Sequence, residues 1–167
     1  MSIKQDIERW DGKSASDIGA VYDNYHIKPD FLDITLLLKS DVSYQKGATW
    51  LLKKWLESGN QLQAEHIKNV YSSLQLLKDW ESKLHILQSI PYMPIDKNEK
   101  LSVESFLRGT LTDSNKFVRA WSYNGFYELA KQYPEYAEKV KQLFEMALSD
   151  EAASVRARIR NIMKKGF

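Results

Sequence analysis

Residues 113–120 read DSNKFVRA, and residues 150–157 read DEAASVRA. Each begins with Asp and ends on Val-Arg-Ala, so Asp113 to Arg119 and Asp150 to Arg156 span the same six residues, and the two copies lie 37 residues apart. Such a pair is either a basic motif used twice or the trace of a repeated structural unit. Extending the register upstream favours the second reading. Asp41 and Asp79 also stand just ahead of apolar-periodic segments, which gives separations of 38, 34 and 37 residues along the four Asp. A period of 34–38 residues with two helices in each period is the signature of an α-solenoid, in which each pair buries its apolar stripe against the next.

The intervening sequence supports helices throughout. Pro29, Gly59-Asn60, Pro91, Pro94, Pro134 and Gly166 punctuate the chain, and the segments between them carry apolar residues at i, i+3 and i+4. No run of Val, Ile and Thr alternates between turn residues as a strand would. The spacing predicts about ten helices, over 2–11, 15–26, 30–40, 43–58, 61–77, 79–90, 99–112, 115–132, 134–148 and 152–165. Ser14 or Ser16, Asp30, Asp113 and Asp150 stand where N-caps are expected. Pro134 suits a first helical turn, and Pro91 with Pro94 marks a loop. The expected fold is all-α, a superhelical stack forming a single domain over 1–167.

Composition narrows the function classes. The chain has 167 residues, 43% of them hydrophobic and 28% charged, and no Cys, which removes disulfides and every Cys-based nucleophile or metal site. The N-terminal stretch MSIKQDIERWDGK is charged throughout and lacks an apolar signal core. Runs such as ITLLL fall far short of the ~20 residues that span a bilayer. The expected location is cytoplasmic, without membrane association. Net charge is +2, but it is uneven: residues 1–90 hold 11 Lys and Arg against 12 Asp and Glu, and residues 91–167 hold 13 against 10. The excess collects in VRARIRNIMKKGF near the C-terminus.

The Asp-x4-Val-Arg-Ala pattern resembles the HEAT repeat, a family whose second helices carry an Asp just before them and an Arg six residues on. The match is close at Asp113/Arg119 and Asp150/Arg156. It is degenerate at Asp41, where Gly47 takes the Arg place, and at Asp79, where His85 does. The resemblance covers residues 30–167, and residues 1–28 are read as a helix pair closing the exposed end. It implies a concave face lined by second helices and used for binding. On that arrangement Trp50, Lys53, His85, Gln88, Arg119, Tyr123, Arg156 and Arg160 would line one shallow groove, a mixture of Trp, Tyr and Arg that interface hot spots favour.

Each candidate has a structural alternative. Arg119 and Arg156 are either ligand-contacting cations or rungs of a ladder, each hydrogen-bonded to an Asp of its own or a neighbouring repeat. In 152–165, Val155, Ile159, Ile162 and Met163 form the apolar stripe. Arg156, Arg160 and Lys164 form one basic line, Arg158 and Lys165 a second. That surface is either a solvated helix end, where cations suit the dipole, or a dock for phosphate or an acidic partner. Val118, Trp121, Phe126 and Leu129 read as core, with Arg119, Tyr123 and Tyr127 on another line.

Catalysis has little support. His26, His66 and His85 have no zinc-ligand spacing, and no Gly-rich phosphate loop occurs. Glu81 and His85, one turn apart, could orient an imidazole as a general base. HEAT-like alkylpurine DNA glycosylases use a Trp and an Asp one turn apart; here the residues four after each Trp are Ser14, Lys54, Gly59, Leu84 and Gly125, so that chemistry is not expected. The sequence points to a non-catalytic scaffold or binding module without cofactor or metal. It would recognise a protein or peptide through the concave face or the basic last helix. Nucleic-acid binding through the same basic and aromatic groove is the alternative, and the oligomeric state is open.

Overall fold

A computed structural model describes all 167 residues. The chain is all-helical, with ten α-helices, short 3-10 turns and no strand. Its contacts gather into two compact units, Met1–Met93 and Pro94–Phe167. The boundary falls in the Pro91–Pro94 segment, where Pro91 opens a 3-10 turn over Ile90–Tyr92.

The first unit holds α1 (Ile3–Arg9), α2 (Ala15–Tyr25), α3 (Ile34–Leu37), α4 (Val42–Glu57), α5 (Ala64–Tyr71) and α6 (Trp80–Ser89). Its central element is α4, which packs on α1, α2, α3 and α6. Asp41 caps α4 by accepting from the Ser43 amide at 2.9 Å. Tyr44, Gln45, Ala48, Thr49, Leu51, Leu52 and Leu56 are all buried, so the helix is covered on most of its girth. Gly47 stands six residues after Asp41, where Arg follows Asp113 and Asp150. A Cβ at that position would lie 2.8 Å from Cγ2 of buried Ile7, so a side chain there is excluded by the packing of α1.

Two expected helices are broken. In place of 30–40 there is a 3-10 turn, Phe31–Asp33, followed by the single-turn α3. In place of 61–77, α5 ends at Tyr71 and a 3-10 turn covers Leu74–Leu76. Buried Gln45 is one reason. Its amide donates to the Leu38 carbonyl (3.2 Å) and the Leu76 carbonyl (2.9 Å) and accepts from the Lys78 amide (3.2 Å). It thus satisfies backbone groups that a continuing helix would use. Ser72 and Ser73 are another, since their hydroxyls donate to the Asn69 and Val70 carbonyls and compete with the helical ladder.

The second unit holds α7 (Lys100–Thr110), α8 (Lys116–Gln132), α9 (Ala137–Asp150) and α10 (Ala153–Met163). Here α8 is central, packing on α7, α9 and α10. Pro134 opens a 3-10 turn, Pro134–Tyr136, leading into α9. Positions 37 residues apart play the same part. Val103 and Val140, Leu107 and Phe144, and Thr110 and Ala147 are buried on α7 and α9; Val118 and Val155, and Ser122 and Ile159, are buried on α8 and α10. Gly125 and Ile162 continue the series. The caps differ from expectation. Asn115, not Asp113, caps α8, while Asp113 holds the Asn115 amide. Asp150 is the last residue of α9, and α10 starts from Ala152 with no side-chain cap.

Candidate functional site

The eight side chains expected in one groove fall in both units, four in each. In the first unit the α4–α6 contact brings His85 to Thr49, with Nδ1 and Oγ1 2.9 Å apart. The Thr49 hydroxyl also lies 3.1 Å from the Lys46 carbonyl. Burial pushes the imidazole down to about 4, with the positive charges of Lys53 and Lys46 acting in the same direction and Asp79 opposing them. The ring is neutral at pH 7.

The expected Glu81–His85 pair does not form. Glu81 binds Lys46 at 2.8 Å, and His85 is held by Thr49 instead, so no carboxylate orients the imidazole as the general-base reading requires. Lys53 pairs with Glu57 at 2.8 Å. Trp50 and Gln88 are half-buried. Of the four, His85 is held by Thr49 and Lys53 by Glu57.

In the second unit, Arg119 is a ladder residue, though not to an Asp side chain. Its Nε–H is shared between both Glu151 oxygens, at 3.1 and 3.0 Å. Its Nη1 donates to the Asp113 carbonyl at 3.0 Å and the Ser114 carbonyl at 3.2 Å. The contact ties α8 to the turn between α9 and α10. Tyr123 does not line a groove: it is 8% exposed and packs edge-on against Phe144 at 5.9 Å, and burial raises its hydroxyl pKa. The reason is that the side of α8 bearing Arg119 and Tyr123 is covered by α9 and its following turn.

The basic helix divides differently from its sequence lines. Arg160, Lys164 and Lys165 are exposed, and Arg156 is half-buried. The Arg158 guanidinium lies over the Trp121 ring, 4.1 Å from its centroid, and burial lowers its pKa. Trp121, expected in the core, is therefore a half-exposed platform for a cation. Arg156 keeps its Nε shielded from solvent with no hydrogen-bond acceptor. Arg156, Arg158 and Arg160 on α10, and Lys164 and Lys165 just after it, enter no ion pair, as is true of most Lys and Arg of the chain: of 24, six do so, Lys46, Lys53, Lys100, Arg108, Arg119 and Lys131.

Three participants were missed from the sequence: Thr49, Glu151 and the Trp121–Arg158 stack. Glu151 could have been sought as an acid beside Asp150 near the start of the next second helix. The other two depend on helix azimuths that spacing alone does not set. No cluster of three or more His, Asp or Glu side chains gathers anywhere in the chain, and no helix is long and apolar enough to cross a membrane. No family model matches the chain, and neither a curated protein nor a solved structure does.

Proposed function

We propose that the chain is a non-catalytic binding module built of HEAT-like helix pairs, which recognises an acidic protein or peptide through the basic surface of α10. The observation that carries this reading is the cluster of five cations within ten residues, Arg156, Arg158 and Arg160 on α10 and Lys164 and Lys165 just after it, none ion-paired within the chain. Unpaired cations gathered on one helix attract an acidic partner and speed its encounter. The helix-pair reading is supported by the 37-residue register of buried positions. The non-catalytic reading is supported by His85, whose nearest partner is a hydroxyl rather than an activating carboxylate.

The test is a pull-down from lysate with the full chain and an Arg160→Glu/Lys164→Glu variant. Both residues are exposed, so the variant is expected to keep the fold, which circular dichroism checks. The expected result is capture of acidic partners by the wild type, weakening with added salt, and its loss in the variant. A variant that retains every partner removes α10 as the dock.

A second reading, nucleic-acid binding, is favoured by one arrangement: the Arg158–Trp121 stack, together with Phe117, which is 52% exposed on the same helix and has the Lys116 ammonium 5.5 Å from its ring centroid. Bases stack on such planes in single-strand binders. Mobility-shift assays with single- and double-stranded DNA and RNA at low salt decide it, and no retardation eliminates it.

A further inference from the structure

Helix α1 is the most lightly held helix of the first unit. Ile7 is its only buried residue, whereas each of the other five helices there buries at least two. What holds α1 is specific. The Ile7 side chain fills the notch that Gly47 leaves on α4. The Tyr25 hydroxyl of α2 donates to the Asp6 carboxylate at 2.7 Å, and the Tyr44 hydroxyl of α4 donates to the Glu8 carboxylate. The Lys4 ammonium lies 5.0 Å from the centroid of the Tyr44 ring. A glycine notch flanked by two buried tyrosines fits one aliphatic side chain with a carboxylate on either side, and Asp6-Ile7-Glu8 supplies that order.

A tight turn joins α1 to α2, and it has ties of its own. The Trp10 indole N–H donates to the Ser14 carbonyl at 2.8 Å, and the Asp11 carboxylate accepts from the Lys13 and Ser14 amides at 2.8 and 2.9 Å. Gly12 stands at φ +75°, a left-handed conformation that residues with a side chain resist. The contacts of α1 with its seat are the same whether the seat belongs to its own chain or to a second copy. They therefore cancel between a closed monomer and an exchanged dimer, and the turn and the cost of association set the balance.

We infer that the seat formed by Gly47, Tyr25 and Tyr44 is an interface with a second copy of this chain, each copy placing its α1 on the other, and that the Gly12 turn restrains the exchange. Each copy supplies both the helix and the seat, so the contact is isologous and closes as a dimer. It uses no residue of α10 and stands or falls independently of the reading above.

The test uses full-length chains. Light scattering compares the wild type with Gly12→Val, whose Cβ meets nothing closer than the Lys46 Nζ at 3.7 Å, so the substitution acts through the backbone of the turn. Its dimer association constant is expected to rise by about tenfold or more. The chain has no Cys, so introduced thiols report where α1 sits. A Cβ at position 47 would lie 3.6 Å from the Ile7 Cβ, within the disulfide range of about 3.5–4.5 Å. With Gly12 retained, a chain carrying both Ile7→Cys and Gly47→Cys is expected to close the bond internally; failure to do so overturns the seat itself. In Gly12→Val chains, mixing one that carries Ile7→Cys with one that carries Gly47→Cys under mild oxidation is expected to give a linked heterodimer, read by mass without reductant. A mixture of Lys4→Cys and Gly47→Cys chains is expected to give none, because Lys4 is exposed. A Gly12→Val chain no more dimeric than wild type overturns the inference. So does a dimer whose thiols at 7 and 47 link no better than those at 4 and 47, since that dimer uses another surface.

Discussion

Gly109 and Gly125 sit on adjacent helices, α7 and α8, and have opposite reasons to be glycine. A Cβ at Gly109 meets nothing within 4 Å, whereas one at Gly125 would clash with Cδ2 of fully buried Leu107. Gly109→Ala is expected to stabilise the chain by about 0.5–1 kcal/mol through helix propensity. Gly125→Ala is expected to destabilise it by about 1–3 kcal/mol, because the packed Leu107 must leave its rotamer. Urea unfolding of both variants checks the pair of signs. Arg119 and Arg156 offer a second contrast. Arg119→Met strands a half-buried Glu151 carboxylate and should cost about 1–3 kcal/mol, whereas Arg156→Met relieves an unpaired donor and should fall within about 0.5 kcal/mol of wild type. His85 supplies a pH dependence. Its folded value, about 4, lies below the ordinary 6.5, so between those values the unfolded chain takes up a proton that the folded chain refuses. Its contribution is complete above pH 7 and is lost as pH falls from about 6.5 to about 4, on the order of 3 kcal/mol. His85→Gln, which keeps an amide for Thr49 but cannot titrate, should flatten that slope in denaturant midpoints measured against pH.

At the scale of elements, four aspartates that look equivalent in the sequence do different work. Asp41 and Asp79 are true N-caps; Asp79 accepts from the Glu81 and Ser82 amides at 2.8 and 3.1 Å. Asp113 stands two residues before the Asn115 cap and accepts its amide, and Asp150 ends the preceding helix. Asp79→Ala should therefore cost about 1 kcal/mol and Asp150→Ala close to nothing, as thermal unfolding of the two variants would show. The long helices α4 and α8 were legible because each carries an uninterrupted apolar period between clear stop signals. The breaks near Leu38 and near Leu76 were not, because Gln45 holds both places from another part of the chain. A glutamine on a helix reads as surface until the fold buries it between two carbonyls and an amide.

At the scale of the whole molecule, charge is the property that sequence reading handles best. Residues 1–93 carry 11 Lys and Arg against 12 Asp and Glu, and residues 94–167 carry 13 against 10, so the positive excess belongs to the second unit. The affinity of any α10 partner should fall as ionic strength rises, because exposed cations are screened beyond ~8 Å at physiological salt; affinity measured across a salt series checks this, and no salt dependence would count against a charge-driven dock. The sequence by itself determined the helical class, the approximate position of most helices, the 37-residue register of the last two pairs and the basic character of α10. All of these follow from local spacing and composition. Only the tertiary structure decided which equivalent residues are satisfied. Arg119 and Arg156 have the same local sequence, Val-Arg-Ala, and the same helical setting. One is neutralised because Glu151, in the turn after α9, reaches it; the other meets no carboxylate. A side chain's partner across helices depends on what packs beside it, and that information is nonlocal.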